Sequence, residues 1–251
     1  MTANTPLAAH DATRFVLLNT SHAGNVGAAA RAMKVMGFSD LVLVAPRFAD
    51  VASHEDAVAM ASGAADILVR ARVVPTLADA LDGISFACAT AMTPRDFGPP
   101  TCAPRERLPA LAAEVAAGTQ TVAFVFGSER FGMANADVWR CHVCLSIPSA
   151  PDYGSLNLAQ ALQCIAYDWR CALGAWPVQA RTAATVPADG AAVAGALDHW
   201  QQVLEQIGFL DPAAPKRLMP RLQQLIQRAQ PTAEELHILR GIARAVGKAG
   251  G

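Results

Sequence analysis

The sequence contains no long hydrophobic run, although 53% of its 251 residues are hydrophobic. None of its apolar stretches approaches the roughly 20 residues that a membrane-spanning helix needs. The first residues, MTANTPLAAHDATR, have no lysine or arginine ahead of their short apolar patch, which argues against a secretory signal peptide. We therefore expect a cytoplasmic protein without a membrane partner.

Cysteine is sparse and irregularly spaced. The chain has six cysteines, and in the cytoplasm we expect them to be reduced thiols. Cys141 and Cys144 form a C-x-x-C pair, but no second pair follows at the spacing of a zinc site, so we expect no metal. Cys164 and Cys171 fall on one face of a predicted helix, and we expect both to pack in the core.

A strong net charge is also absent, since the formal charge is −1 at pH 7. The net charge of the whole molecule therefore gives no indication of nucleic-acid binding. The charge is uneven, however, because residues 177–251 hold eight basic and six acidic residues, a net +2, which leaves −3 on the preceding part. In this mildly basic end, Arg217, Arg221 and Arg228 recur at the spacing of a single stripe on a helix.

Short, continuous apolar runs are present, as is typical of strands that are covered on both faces. They predict strands at 15–19, 41–45, 85–90, 121–127 and 142–148. The segments between them predict helices at 25–36, 55–69, 77–82, 106–117, 133–140 and 155–174. This alternation predicts an α/β fold around a mostly parallel sheet.

The composition changes near residue 177, where the segment PVQARTAATVPADGAAVAG is rich in proline, alanine and threonine. Such a segment is typical of a linker. Beyond it the pattern predicts only helices, at 194–208, 215–229 and 232–247, the last opened by a capping box of Thr232 and Glu235. We expect an α/β domain over 1–176, a linker over 177–193 and a helical extension over 194–251.

The stretch NTSHAGNVGAAARAMKVMGF joins the first predicted strand to the first helix. Strand, glycine-bearing turn and helix start together favour a ligand with a phosphate or a nucleoside, because free N–H groups face outward there. Gly24 and Gly27 suggest that something approaches the backbone closely. An ordinary dinucleotide-binding enzyme is disfavoured, because the third glycine of G-x-G-x-x-G is missing. Arg31, nearly two turns into the helix, indicates an anionic or oxygen-rich ligand.

Two later stretches repeat this arrangement of polar and glycine residues after a strand. FVFGSERFGM ends one strand, and IPSAPDYGSLN ends another before a long helix. Each stretch alone would be consistent with a capped turn. The carboxyl ends of strands are where α/β sheets bind ligands, so we expect all three stretches to form one site.

The segments NVGAAAR, FVFGSERFGM and IPSAPDYGSLNLAQAL resemble, in that order, the three motifs of the SpoU/TrmH class of SPOUT RNA 2′-O-methyltransferases. The first stretch and the tail segment RLQQLIQRAQPTAEELHILRGI are similar to the TrmJ branch of that class. The resemblance extends over nearly the whole chain, from about residue 14 to residue 247.

The resemblance implies an enzyme that transfers a methyl group from S-adenosylmethionine to a ribose 2′-hydroxyl of tRNA. For the TrmJ branch the target is cytidine or uridine at nucleotide 32 of the anticodon loop. The resemblance also implies a SPOUT-type sheet with a deep trefoil knot, and a homodimer. The knot does not follow from general rules of folding, which treat knots as essentially absent.

The resemblance also assigns residues to roles. The catalytic set is Arg31, Asn25, Glu129 and Ser155. Arg31 would clamp the ribose and its phosphate rather than accept a proton, because a guanidinium is practically always protonated, and Glu129 would orient Arg31. The implied cofactor-binding residues are Thr90, Ala91, Met92, Gly127, Ile147, Gly154, Ser155, Leu156 and Asn157. The expected RNA-binding residues are Arg31, Arg95 and Arg130, together with the stripe of Arg217, Arg221 and Arg228.

Two other functions stay open. The first is a methyltransferase of the same family that acts on another tRNA or rRNA nucleotide. The second is a non-catalytic RNA-binding module. The polar residues are spread over three strand ends rather than over a basic face with many aromatics, which counts against the second.

Overall fold

The computed structural model of the chain describes residues 12–91, 97–178 and 185–250. The chain divides into two compact units, one extending to Pro177 and the other beginning at Val178. Within the described residues, no helix is both long enough and apolar enough to span a bilayer.

The first unit, which we call the α/β unit, contains one sheet of seven strands whose pairings are all parallel. The strands are β1 (Thr13–Leu18), β2 (Asp40–Val44), β3 (Arg72–Val74), β4 (Phe86–Thr90), β5 (Thr101–Cys102), β6 (Val122–Phe126) and β7 (Val143–Leu145). Their spatial order is β3-β2-β1-β6-β4-β7-β5. The predicted α/β class is confirmed, and this order is consistent with the trefoil knot, which stays a prediction.

The helices of this unit lie between the strands. They are α1 (Ala23–Val35), α2 (Glu55–Ala61), α3 (Ala65–Arg70), α4 (Leu77–Ala80), α5 (Pro104–Ala116), α6 (Asn135–Val138) and α7 (Leu158–Gly174). The helix predicted over 55–69 is thus two helices joined by a 3₁₀ turn at Ser62–Ala64. The cause is local, because Ser62 has a φ of 52°, which no α-helix accommodates.

Successive strand residues point to opposite faces of the sheet, and both faces are covered. Phe15 and Leu17 of β1 belong to the larger core, which α1, α2, α5 and α7 complete. Val16 and Leu18 belong to a smaller core on the other face, completed by α4 and α6. Trp169 of α7 is fully buried, and its indole N–H donates to Thr13 Oγ1 at 3.0 Å, which ties the last helix of the unit to its first strand.

All six cysteines are free thiols, but they are not all in the core. Cys88, Cys141 and Cys144 are buried, and burial raises the pKa of Cys141 to about 12. Cys164 and Cys171 are exposed on α7, so the expectation of core packing is wrong for these two. The apolar face of α7 instead contains Leu162, Ile165, Ala166 and Trp169.

The second unit, which we call the helical unit, contains α8 (Gly190–Gln206), α9 (Leu218–Ala229) and α10 (Ala233–Ala249). Helix α8 begins four residues before the predicted position 194, because the Asp189 side chain accepts the Ala192 N–H at 2.7 Å. The predicted capping box is confirmed, with Thr232 Oγ1 accepting the Glu235 N–H at 3.2 Å and Glu235 Oε2 accepting the Thr232 N–H at 2.7 Å.

Candidate active site

A cavity of about 280 Å³ lies at the carboxyl ends of β4, β6 and β7, beside the start of α7. This is the edge at which parallel sheets bind ligands. Seven of the predicted cofactor residues line it together: Thr90, Ala91, Gly127, Ile147, Gly154, Ser155 and Leu156. They come from three distant segments of the sequence, and their role toward a cofactor stays a prediction.

Further lining residues were not predicted. They are Phe126, Ser128, Phe131, Gly132, Met133, Leu145, Leu158 and Ala161. Their position in the sequence could have indicated them, since each lies within a few residues of a predicted site residue. The predicted cofactor residue Met92 and the predicted RNA-binding residue Arg95 lie outside the described residues.

Glu129 links the first motif to the second. Its carboxylate accepts hydrogen bonds from the Ser21 N–H and the Ser21 hydroxyl, both at 3.0 Å, and from Asn25 Nδ2 at 3.0 Å. The His22 N–H, at 3.4 Å, is a weaker donor. His22 is the N-cap residue of α1 and makes no side-chain cap, so Glu129 supplies the negative charge that the helix dipole favours there. The anion at the start of α1 is therefore part of the protein and need not be a ligand.

The protonation of Glu129 follows from these contacts. Burial alone would raise its pKa, but the hydrogen bonds from Asn25 and Ser21 outweigh that effect and hold the pKa below the ordinary value of 4.5. Glu129 is thus an anion at neutral pH. It acts as a fixed acceptor and has no proton to donate.

Asn25 extends the connection to the third motif. Its Oδ1 accepts a hydrogen bond from Asn157 Nδ2 at 2.9 Å, while its own amide donates to Glu129. Asn157 also caps α7, because its Oδ1 accepts the Ala159 N–H at 2.9 Å. The three motifs are therefore joined by one chain of hydrogen bonds. Asn157, predicted to bind the cofactor, is part of this chain and is not among the residues that line the cavity.

Arg31 stands apart from this chain of hydrogen bonds. It is exposed on α1, six residues beyond Asn25 and thus about 9 Å farther along the helix axis. In the described part of the chain, its guanidinium has no hydrogen bond or ion pair, and the predicted contact between Glu129 and Arg31 is not present. The distance along α1 explains this, because Glu129 is held at the start of the helix. The guanidinium is left available for an anion.

Packing within the protein explains why glycines occur in the first two motifs. A Cβ added at Gly27 would lie 2.0 Å from the Ala57 carbonyl oxygen, so α2 is what approaches the backbone of α1 so closely. A Cβ at Gly127 would lie 2.1 Å from the carbonyl carbon of Gly132. Both glycines therefore permit close packing of backbone on backbone. The close approach expected near Gly27 is therefore made by α2 of the protein itself.

Comparison with known proteins identifies the group to which this architecture belongs. Residues 12–167 match the SpoU rRNA Methylase family. The chain belongs to the SpoU methylase family. Residues 191–250, in the helical unit, match the C-terminal domain of the tRNA methyltransferase TrmJ.

Relatives within the SpoU methylase family are similar over nearly the whole chain. The tRNA (cytidine/uridine/adenosine-2′-O-)-methyltransferase TrmJ of Pseudomonas aeruginosa is 44% identical over 243 residues, which is 92% of each chain. The tRNA (cytidine/uridine-2′-O-)-methyltransferase TrmJ of Yersinia enterocolitica is 40% identical over 240 residues, 94% of this chain and 91% of that one. The crystal structure of TrmJ from Z. mobilis aligns with a TM-score of 0.77 at 28% identity, covering 94% of this chain and 99% of that one. The resemblance to the TrmJ branch and the methyltransferase class are thereby confirmed.

The remaining predicted residues of this SpoU methylase lie on exposed surfaces. Ser155 and Arg130 are exposed at the cavity. Arg217 is the N-cap residue of α9, and Arg221 and Arg228 follow on that helix. In the described ranges, no group of three or more histidine, cysteine, aspartate or glutamate side chains is placed to hold a metal ion.

Proposed function

We propose that this protein transfers a methyl group from S-adenosylmethionine to the ribose 2′-oxygen of nucleotide 32 in the anticodon loop of tRNA. The relatives that are 40–44% identical are named as tRNA 2′-O-methyltransferases, which supports the substrate class. The observation that carries the proposal is the hydrogen-bonded chain from Glu129 through Asn25 to Asn157, which joins three distant motifs beside one cavity.

The lining of the cavity offers the chemistry that the proposed cofactor needs. Its volume of about 280 Å³ is just below the roughly 300–1,000 Å³ that is usual for small-molecule sites. Ile147 and Leu156 offer an apolar slot for an adenine ring, and Thr90 and Ser155 add hydroxyl groups. The predicted contacts of Met92 and Asn157 belong to the same proposal. When bound, S-adenosylmethionine supplies an activated methyl group on a sulfonium.

The protein's own residues align the acceptor ribose. Methyl transfer needs the 2′-oxygen placed for in-line attack, which is chiefly a matter of position. Arg31 is an exposed, permanently charged guanidinium, and in our proposal it clamps the ribose and the adjacent phosphate and stabilises charge that develops on the oxygen. Glu129 and Asn25 hold the turn before α1 fixed, and this sets where Arg31 stands.

The helical unit is the proposed second contact with tRNA. Its match to the TrmJ C-terminal domain favours tRNA over rRNA. Arg217, Arg221 and Arg228 are exposed, and phosphate contacts dominate the affinity of nucleic-acid binding. We further propose a cytoplasmic homodimer. The exposed apolar side chains of Val35 on α1 and Tyr167 on α7 are the candidates that we propose for its interface.

The substrate is tested with tRNA transcripts that carry cytidine, uridine or adenosine at nucleotide 32. Purified protein and labelled S-adenosylmethionine should methylate this nucleotide, as mapped by mass spectrometry of nuclease fragments. A transcript with a 2′-deoxy nucleotide 32 is the matched control and should accept no label. Methylation at another nucleotide or in rRNA fragments would contradict the proposed target. Analytical ultracentrifugation of the same sample reports the oligomeric state.

The cofactor site is tested by calorimetry with S-adenosylhomocysteine. Gly154→Val places bulk in the cavity lining, and we expect it to abolish binding. Gly127→Val is unsuitable because the added carbon collides with Gly132 of the protein itself. Gly63→Val is the matched control, since a Cβ there meets open space. Full affinity in Gly154→Val, or binding of NAD by the intact protein, would show that the proposal is wrong.

A further inference from the structure

The loop that follows β6 is held in one conformation by its own backbone. Ser128 and Gly132 form an antiparallel bridge, with the Ser128 N–H donating to the Gly132 carbonyl at 3.0 Å and the Gly132 N–H donating back at 2.9 Å. The Phe131 N–H donates to Ser128 Oγ at 3.3 Å. Gly132 has a φ of 65°, which glycine adopts without strain. The hydrogen bonds and the glycine together hold the backbone of the loop in place.

Neighbouring side chains of this loop lie in different environments. Glu129 is partly buried against the start of α1, whereas Phe131 is 83% exposed. Phe131 nevertheless lines the cavity at the strand ends, so its ring stands at the cavity's rim. The Arg130 guanidinium lies 5.6 Å from the centre of this ring. An exposed phenyl group is therefore paired with a cation beside the candidate active site.

This pair has the chemistry that recognises an unstacked nucleotide. Single-stranded RNA loops are bound by stacking splayed bases on aromatic rings and by pairing phosphates with arginine. Arg130 has no ion pair among the described residues, so it can bind a phosphate without losing a carboxylate partner. Single exposed apolar side chains are common on protein surfaces, so it is the position of this ring, beside the cavity and an unpaired arginine, that points to a ligand.

We infer that Phe131 and Arg130 form a subsite for one nucleotide of the RNA substrate, with the base stacked on the Phe131 ring and a phosphate on Arg130. The inference rests on the proposed RNA methylation, and it names the nucleotide-binding surface at the mouth of the cavity. The ring determines how firmly the anticodon loop is held, and it takes no part in the transfer itself.

The first experiment compares Phe131→Leu with Phe131→Tyr. Loss of one stacked base costs about 1–3 kcal/mol, so we expect the KM for tRNA to rise about tenfold in the leucine variant. The tyrosine variant should restore the KM to within about twofold. Because the ring binds the RNA in our proposal and does not act in the transfer, the rise in the KM for tRNA should exceed any change in kcat or in the dissociation constant for S-adenosylhomocysteine.

Phe48→Leu is the matched control. Phe48 has the same arrangement, with the Arg47 guanidinium 5.2 Å from its ring centre, but it is not part of the cavity lining. The control should leave the KM for tRNA unchanged. An equal rise in both leucine variants would overturn the inference, because it would show a general effect of removing an exposed phenyl group.

A second readout does not depend on activity. In Phe131→Trp, tRNA binding should quench the added indole fluorescence, measured against the protein with its four native tryptophans. Quenching by S-adenosylhomocysteine alone, or weaker cofactor binding with an unchanged KM for tRNA, would assign the ring to the cofactor's adenine and overturn the inference. A changed molecular mass in the leucine variant would assign it to an interface between copies. An intact protein that methylates no tRNA, while tRNA still quenches Phe131→Trp, would reject the proposed function and retain the subsite.

Discussion

The α/β unit and the helical unit differ first in how much core they possess. The α/β unit has apolar cores on both faces of its sheet, with fully buried Phe15, Phe124 and Trp169 in the larger one. The helical unit has one small core, whose buried members are Ala196, Leu197, Ile226 and Leu236. Stability rises with buried apolar area, so the α/β unit is built as the rigid framework of the site.

The two units differ again in how their positive charges are paired. Among the described residues of the α/β unit, six lysine and arginine side chains form ion pairs with carboxylates: Arg14, Lys34, Arg70, Arg72, Arg105 and Arg107. In the helical unit, none of the described basic side chains has such a pair, namely Lys216, Arg217, Arg221, Arg228, Arg240, Arg244 and Lys248. In the α/β unit, Arg31 and Arg130 of the first and second motifs are likewise unpaired among the described residues.

From this comparison we propose that charge pairing, rather than net charge, indicates the RNA-binding surface of this protein. A net +2 over residues 177–251 is modest. Unpaired guanidinium groups can bind phosphate without first losing a carboxylate partner. Unpaired cations thus occur in the first two motifs and in the helical unit, the places that the proposed function requires, although Arg47, Arg140 and Arg170 of the α/β unit also have no ion pair among the described residues.

Arg31 provides the test with the largest expected effect. Arg31→Ala should lower kcat/KM for tRNA by about 100-fold or more, the usual cost of removing a group that stabilises developing charge. S-adenosylhomocysteine should bind nearly as before, and Arg31→Lys should recover little, since an ammonium lacks the bidentate fork. Arg140→Ala removes another exposed arginine of the same unit and is the control. Lost cofactor affinity with methyl transfer intact would contradict the assignment.

Packing in the α/β unit is tested with glycine-to-alanine pairs. In Gly27→Ala the new carbon would lie 2.0 Å from the Ala57 carbonyl oxygen, so we expect a loss of about 2 kcal/mol in the free energy of unfolding. Gly24→Ala, in the same helix with its nearest neighbour at 3.6 Å, is the control and should be nearly neutral.

A glycine-to-alanine change in the helical unit is the counterpart to these two changes in the α/β unit. A Cβ at Gly241 in α10 meets open space, so Gly241→Ala should stabilise the helix by about 0.5–1 kcal/mol. Differential scanning calorimetry should show the transition of the α/β unit moving down in Gly27→Ala and that of the helical unit moving up in Gly241→Ala. A single transition that responds equally to both changes would show that the units do not differ in this way.

Much of the fold was predictable from local pattern. In each of the five predicted strands, buried apolar residues follow one another along the sequence. β3 and β5 were missed because they are only three and two residues long and partly exposed, with Val73 48% exposed. Neither has the continuous apolar run that predicts a buried strand. The order in which the strands pair depends on contacts that no local pattern encodes.

Seven residues of the cavity lining were predictable from the sequence, but the contacts within the candidate site were not. Glu129 and Asn157 lie 104 and 132 residues from Asn25, so nothing in the local sequence indicates that their side chains meet. The resemblance led to the expectation that Glu129 orients Arg31. In the structure Glu129 instead holds the turn that precedes α1. These hydrogen bonds form only because the folded sheet brings the ends of its strands together.

The stripe on α9 tests the charge comparison directly. Arg221→Gln combined with Arg228→Gln should raise the dissociation constant for tRNA about tenfold at physiological salt, and should lower the slope of log K against log salt by about two. The double variant Arg70→Gln with Arg105→Gln is the matched control, because it removes the same charge from paired arginines of the α/β unit. Equal slopes in the two double variants would show that pairing does not mark the tRNA surface.

Glu129 offers a small effect that is specific because it depends on pH. Because hydrogen bonds hold its pKa below the ordinary value of 4.5, the carboxylate stabilises the folded state above about pH 4.5, and this contribution is lost as the pH falls through the lowered pKa. Glu129→Gln should therefore cost about 1 kcal/mol near pH 7, at the low end for charged hydrogen bonds because the group is partly exposed. The difference from the original protein in the melting temperature of the α/β unit should shrink as the pH is lowered below 4.5.

Glu235→Gln is the control for this prediction and should change the melting temperature less. The Glu235 carboxylate accepts the Thr232 N–H on the surface of the helical unit. If the Glu129→Gln difference were the same at pH 7 and pH 3, the carboxylate's charge would not be what fixes the start of α1.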